Sequence, residues 1–227
     1  MAKLVAIVED DVTLASSMRQ GLQKYGYDVW VAEEFQQIAQ DIVAVDPDLV
    51  LLDINLPNFD GYHWCREIRK QSRVPIIIVS SRDSKMDQIL GIEFGADDYI
   101  LKPFDMEILL SKIQGLMRRV YGELAMKDLE LEVNQVMLNK EALQLHYGEL
   151  IADLTVVECR VFQTLMERFP EAARREELMI AVWDDDTLIE ENTLNVNMKR
   201  CRDVLKTCQL PLQIKTIRSY GYRLECL

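Results

Sequence analysis

Leu49-Val50-Leu51-Leu52-Asp53-Ile54-Asn55-Leu56-Pro57 is the stretch that decides the fold. Four apolar residues in a row, closed by an acid and then by Asn and Pro, read as a strand buried on both faces that stops at a turn. The same shape recurs on either side of it. Leu4–Val8 runs into Glu9-Asp10-Asp11, Pro75–Val79 into Ser80-Ser81, and Tyr99–Leu101 into Lys102-Pro103, with Val29–Val31 as a further short run. Between these runs apolar residues return at helical spacing near 12–25, 34–44, 60–70, 84–94 and 105–120. Leu14, Met18, Leu22 and Tyr25 carry the first pattern; Ile108, Leu109, Ile113 and Leu116 carry the last. Five strands alternating with five helices imply an α/β, doubly wound, five-stranded parallel sheet. Ligands of such sheets sit beyond the carboxyl ends of the strands, near the point where strand order reverses. The residues just after each strand are therefore the candidates.

That sheet consumes about half of the 227 residues, which leaves room for a second domain. Polarity rises at Arg118-Arg119-Val120-Tyr121-Gly122-Glu123, the expected linker, so the expected domains are 1–121 and 125–227. Beyond it, Leu129–Val133 and Val136–Leu138 read as parts of a small antiparallel sheet. Helical patterns follow near 155–168, 174–183 and 190–207, then a hairpin of Gln213–Ile217 and Tyr222–Cys226 around Ser219-Tyr220-Gly221. No apolar run approaches the roughly 20 residues that span a bilayer, and the N-terminus lacks signal-peptide architecture, so a cytoplasmic protein is expected. The five cysteines form no C-x-x-C pair and only two histidines are present, which disfavours a zinc site or disulfide framework. The formal net charge of −12 argues against indiscriminate nucleic-acid binding. Residues 192–227 run the other way, with seven Lys or Arg against Asp203 and Glu225, as one localised polyanion-binding face would.

Each strand-end residue has an ordinary reading by itself. Asp10 or Asp11 could cap the first helix, Asp53 could be a turn residue, Ser80 could be a cap and Lys102 a solvated lysine. Together they are harder to dismiss, because Glu9, Asp10 and Asp53 in one crevice would repel one another. A hard divalent cation such as Mg2+, which takes oxygen ligands and also binds phosphate oxygens, resolves that repulsion. Val8-Glu9-Asp10-Asp11, Leu51-Leu52-Asp53-Ile54-Asn55-Leu56-Pro57 with Asp60-Gly61, and Gly95-Ala96-Asp97-Asp98-Tyr99-Ile100-Leu101-Lys102-Pro103-Phe104 resemble a response-regulator receiver domain over residues 3–120. The resemblance implies that Asp53 accepts a phosphoryl group from a membrane histidine kinase. It implies that Asp10, Asp53 and the backbone carbonyl of Asn55 bind Mg2+, with Glu9 acting through a water. Lys102 would pair with the phosphoryl oxygens, Ser80 would be the switch hydroxyl and Tyr99 its coupled aromatic. Ser80 stands where the family more often has Thr. A Mg2+-dependent phosphatase also uses an aspartyl nucleophile. Its D-x-D-x-T spacing after the first strand is not supplied by Glu9-Asp10-Asp11-Val12-Thr13, and no P-loop or G-x-G-x-x-G is present. The expected protein is not an enzyme beyond its own phosphotransfer and dephosphorylation.

In the second half, Leu194, Met198, Cys201, Leu205 and Cys208 form one buried helical stripe. Asn192, Asn195, Lys199, Arg202 and Lys206 form another about 100° away, with Arg200 on the opposite flank. Amides and cations so placed can reach base edges and phosphates in a major groove; an ordinary solvated amphipathic helix gives the same pattern. Lys215-Thr216-Ile217-Arg218-Ser219-Tyr220-Gly221-Tyr222-Arg223-Leu224 resembles the wing of OmpR/PhoB-type regulators. Leu154-Thr155, Arg175-Glu176-Glu177-Leu178, Val182-Trp183 and Thr193-Leu194-Asn195-Val196 match the same family in order. The resemblance implies a winged helix-turn-helix domain on promoter DNA, with Arg218 reaching the minor groove. Asn192 and Asn197 replace residues common in the family, so base preference is not inherited. The family also implies a homodimer through the fourth helix, fifth strand and fifth helix once phosphorylated. Asp97, Asp98, Lys112 and Arg119 match its charged positions; Gln88 and Ile108 stand where an Arg and a Glu commonly pair. Finally, Trp64-Cys65-Arg66, Ser80-Ser81-Arg82-Asp83, Met86-Asp87-Gln88 and Arg118-Arg119-Val120-Tyr121 resemble the BceR/GraR-type regulators of Gram-positive bacteria. Those act with transporters that resist envelope-active peptides.

Overall fold

A computed structural model describes residues 2–121, 130–183 and 191–227; the side chains of 119–121, 130, 191 and 192 lie outside that description. The chain divides into two compact units, Met1–Met117 and Arg118–Leu227.

In the N-terminal unit the strands are β1 (Leu4–Val8), β2 (Asp28–Val31), β3 (Leu49–Asp53), β4 (Ile76–Ser80) and β5 (Asp98–Leu101). The helices are α1 (Val12–Lys24), α2 (Ile38–Val45), α3 (Gly61–Arg69), α4 (Lys85–Glu93) and α5 (Met106–Tyr121). All pairings are parallel, in the order β2-β1-β3-β4-β5. The expected fold class is therefore observed. Every residue of β3 and β4 is buried, which is why their sequences are unbroken apolar runs rather than alternating ones. Strand order reverses between β1 and β3, where the chain has gone outward in both directions.

Helix starts follow local chemistry. Asp11 caps α1 by accepting from the Thr13 and Leu14 amides, Asp60 caps α3 through the His63 amide, and Ser84 caps α4 through the Asp87 amide. Asp10 is thus left uncommitted to the cap. Two expectations shift. The second helix begins at Ile38 rather than 34, with no side-chain cap at Gln37. Arg118–Tyr121, expected as linker, continue α5; Gly122 and Glu123 lie outside the described residues.

The C-terminal unit opens with an antiparallel sheet of β6 (Glu130–Val133), β7 (Val136–Asn139), β8 (Gln144–Tyr147) and β9 (Leu150–Asp153). Helices α6 (Val156–Arg168), α7 (Arg175–Trp183) and α8 (Glu191–Thr207) follow. Strands β10 (Ala172–Arg174), β11 (Leu212–Ile217) and β12 (Gly221–Cys226) make the second sheet, in the order β10-β12-β11. Phe162, Leu165, Leu194, Met198, Cys201 and Leu224 meet in its core. The expected stripe of α8 is buried at Leu194, Met198, Cys201 and Leu205; Cys208 is half-buried one residue past the helix end. Gly221 is required where it stands, since a Cβ there would lie 2.0 Å from the Ala173 carbonyl oxygen across the β10–β12 pair.

Candidate functional site

The carboxyl ends of β1 and β3 bring Glu9, Asp10 and Asp53 together at the reversal point. One carboxylate oxygen from each lies within 4.8 Å of the others. Glu9 and Asp53 are buried, at 4% and 3% exposure, and Asp10 is exposed at the mouth. Lys102, just past β5, reaches across with Nζ 2.7 Å from Glu9 Oε2 and 3.1 Å from Asp53 Oδ2. Burial pushes the Glu9 carboxyl up, and the nearby Asp53 charge adds to that; the Lys102 hydrogen bond opposes it. Three carboxylates against one ammonium leave a surplus of negative charge in a partly dehydrated crevice. An all-oxygen donor set with that surplus fits a hard divalent cation. One oxygen of Asp53, Oδ1, accepts from the Ile54 amide at 2.7 Å, fixing the side chain's rotation. The first turn of α3 packs directly on this loop: a Cβ on Gly61 would lie 2.1 Å from the Asp53 carbonyl oxygen, so only glycine allows the approach. A cavity of about 450 Å³ opens beside Glu9 and Asp10, bounded by Val12, Ser16, Arg19 and Phe35.

Ser80 ends β4, fully buried, and its Oγ accepts from the Arg82 amide at 3.1 Å. Tyr99 on β5 donates its hydroxyl to the Arg82 carbonyl at 2.8 Å. Burial raises the Tyr99 phenol above its ordinary value. Arg82 is a functional candidate that the sequence did not single out. Its Nε donates to Asn55 Oδ1 at 3.0 Å, its guanidinium lies 3.8 Å from Asp87, and it stacks 5.7 Å from the Tyr62 ring. Asn55 Nδ2 in turn donates to Ser81 Oγ at 3.2 Å. The loop after β3 and the loop after β4 are therefore tied by side chains, and Ser80 and Tyr99 both bond to the backbone of the same arginine. The available signal was its position two residues past Ser80.

The expected dimer-face residues divide. Asp97 is a correction: it is 1% exposed and takes a 2.7 Å bond from Arg69 Nη2 and a 2.9 Å bond from the Ile76 amide, so its charge is spent inside the fold. Asp98 and Lys112 pair with each other within the chain at 2.9 and 3.0 Å. Gln88 is half-buried and Ile108 exposed. The Arg119 side chain lies outside the described residues.

In the C-terminal unit Asn195, Lys199 and Lys206 are exposed on α8, and Arg218 is exposed on the turn between β11 and β12. The Asn192 side chain lies outside the described residues. Arg200 is a second correction. Glu158 completes a capping box with Thr155 at the start of α6, and its remaining oxygen needs a cation. Arg200 Nε supplies it at 3.1 Å, with Nη2 on Thr155 Oγ1 at 3.3 Å, which commits the guanidinium to partners inside the domain. Arg202 is committed in part, donating to the Ile214 carbonyl at 2.9 Å and to Thr216 Oγ1 at 2.8 Å. Tyr222 is buried and Tyr220 is exposed.

A strand-end carboxylate trio beside a lysine, on a parallel sheet, followed by a helical unit with a basic hairpin, defines a receiver joined to a winged-helix effector. Family models agree: the one described as response regulator receiver domain matches residues 5–114, and the one described as transcriptional regulatory protein, C terminal, matches 149–224. The chain is 41% identical to the transcriptional regulatory protein YxdJ of Bacillus subtilis, covering 97% of each. It is 36% identical to the sensory transduction protein BceR of Halalkalibacterium halodurans, over 96% of this chain and 94% of that one. A solved structure of a RitR mutant matches at a TM-score of 0.80 and 25% identity, covering 100% of both chains. The chain belongs to the two-component response regulators that join a receiver domain to an OmpR/PhoB-type DNA-binding domain. It is a transcriptional regulator rather than a metabolic enzyme. Among the described residues no helix is long and apolar enough to cross a membrane.

Proposed function

We propose that this regulator is switched by phosphorylation of Asp53 by a membrane histidine kinase in the cytoplasm. One observation carries the reading: Lys102 bridges Glu9 and Asp53 in a crevice that still holds surplus negative charge. The Asp53 oxygen not held by Ile54 attacks the phosphorus of the kinase phosphohistidine; an O–P bond forms, the P–N bond breaks, and the imidazole leaves. Lys102 exchanges its carboxylate partners for phosphoryl oxygens and offsets charge that grows during transfer. Glu9 (through a water), Asp10, Asp53 and the Asn55 carbonyl would hold Mg2+, which when bound supplies electrostatic stabilisation of the transferring group. The same machinery returns the aspartate by hydrolysis, and this is the extent of its catalysis.

Ser80 then turns its hydroxyl to the new phosphoryl oxygens. That gives up the Arg82 amide and loosens the Tyr99 bond to the same residue. The switch propagates along α4, β5 and α5 to favour a homodimer, with Gln88, Asp98, Ile108, Lys112 and Arg119 on the contact face. The functional division is a receiver at 1–121 and a promoter-binding domain at 125–227, which uses Asn192, Asn195, Lys199, Arg202, Lys206 and Arg218. Likeness to BceR/GraR-type regulators supports control of transporters that resist antimicrobial peptides. Incubation with acetyl phosphate and Mg2+ should give one base-labile phosphoryl adduct by intact mass, absent in Asp53→Ala. An adduct that survives that substitution overturns the assignment.

A further inference from the structure

Three elements of the C-terminal unit meet at a single amide. Asn195 stands on the second turn of α8, Arg175 opens α7, and Tyr222 lies on β12. Arg175 Nη2 donates to Asn195 Oδ1 at 2.6 Å, and the Tyr222 hydroxyl donates to the same oxygen at 2.7 Å. Arg175 Nη1 donates to the Tyr222 oxygen at 3.3 Å, and its guanidinium lies 5.3 Å from the centre of that ring. The directions are fixed by chemistry. A guanidinium only donates, so the Asn195 atom facing it is the carbonyl oxygen. The Tyr222 oxygen accepts from Arg175 and so sends its own proton to Asn195. A carbonyl oxygen has two lone pairs, and both are now used. Asn195 itself is exposed, and among the described residues its Nδ2 has no acceptor.

We infer that Asn195 enters DNA recognition as a hydrogen-bond donor only. The inference rests on the reading of this unit as the promoter-binding domain and concerns how it reads sequence. Asparagine commonly reads adenine with both ends of its amide, donating to N7 while its oxygen accepts from the N6 amine. Here the oxygen is saturated from inside the protein, so the second half of that contact is closed. What remains is an N–H pair aimed outward, which suits acceptors on the major-groove edge: purine N7, guanine O6 or thymine O4. Arg175 and Tyr222 act as positioning residues that set the polarity of the amide. The base position that Asn195 governs should therefore be insensitive to the adenine N6 amine.

The test starts from duplexes that the phosphorylated full-length protein selects from a random pool. The same selection with Asn195→Ala identifies the position whose preference is lost. At that position, replacing purine N7 by C–H should weaken wild-type binding about tenfold, the worth of one donor to a base acceptor. Placing adenine there and then removing its N6 amine should change nothing. Tyr222→Phe keeps the ring but frees one lone pair on Asn195 Oδ1; that variant should gain preference for adenine and become sensitive to the N6 amine. A wild-type protein that loses affinity without the N6 amine overturns the inference. So does Asn195→Ala if it weakens all sequences equally, which marks a phosphate contact, or if it alters nothing. Failure of the wild type to select any sequence overturns the DNA-binding reading beneath it and is recognised before the variants are made.

Discussion

Asp97→Ala should destabilise the N-terminal unit by about 3–5 kcal/mol, the cost of removing one partner from a buried ion pair. The Asp97 side chain has no exposure and that of Arg69 only 10%. Arg69 also donates Nε to the Gly95 carbonyl and Nη1 to the Val74 carbonyl, so it is held in place and cannot swing to solvent when its carboxylate goes. The Ile76 amide at the start of β4 loses its acceptor at the same time. An unsatisfied buried N–H alone costs about 1–3 kcal/mol. Asp97→Asn keeps an acceptor for that amide and should cost roughly half as much. The assay is urea unfolding of the full chain, read by hydrogen exchange in peptides from β3 and β4 so that the C-terminal unit does not contribute. With a slope near 2 kcal/mol per molar urea, typical of a domain this size, the midpoint should fall by roughly 2 M. An unchanged midpoint together with weakened self-association would refute the reasoning and return Asp97 to a subunit interface.

Mg2+ at 100 times its dissociation constant should stabilise the N-terminal unit by about 2.7 kcal/mol in the same assay, and Asp10→Ala, at an exposed position, should abolish that gain without unfolding the apoprotein. Burial pushes the Cys159 thiol up to about 12 and Cys201 well above its ordinary value. Both stay protonated at mildly alkaline pH, so an alkylating reagent followed by peptide mapping should mark exposed Cys226 first and the buried cysteines only on unfolding. Arg200→Ala leaves Glu158 buried without that partner and should cost about 3 kcal/mol of C-terminal stability with the salt slope of DNA binding unchanged. Arg218→Ala should leave stability intact and flatten that slope by about one unit; a flattened slope in Arg200→Ala would restore it to the DNA face.

The parallel sheet was legible because burial on both faces leaves no polar alternation in β1, β3 and β4. Strand β10 was not, since Ala172-Ala173-Arg174 carries no strand pattern and owes its conformation to pairing with Arg223, Tyr222 and Gly221. The acidic pocket was legible for a topological reason: a doubly wound sheet gathers its strand ends, so Glu9, Asp10, Asp53 and Lys102 can be brought together by counting strands. Charges that find partners through tertiary register were not. Arg69 reaches Asp97 across 28 positions and Arg82 reaches Asn55 across 27. On α8, periodicity gave the buried stripe correctly. Lys199 and Arg200 are neighbours on that helix, and nothing in its period shows that Arg200 answers the carboxylate of Glu158.

Coupling between Asp53 and DNA binding is the central claim, and one titration tests it. Duplexes selected by the phosphorylated protein should be titrated with wild type and Asp53→Ala, each with and without acetyl phosphate and Mg2+, while intact mass reports the phosphorylated fraction. The account predicts tighter binding by the wild type in proportion to the single adduct, and no response from Asp53→Ala. Binding that tightens equally in both proteins, or that ignores a fully formed adduct, would contradict it.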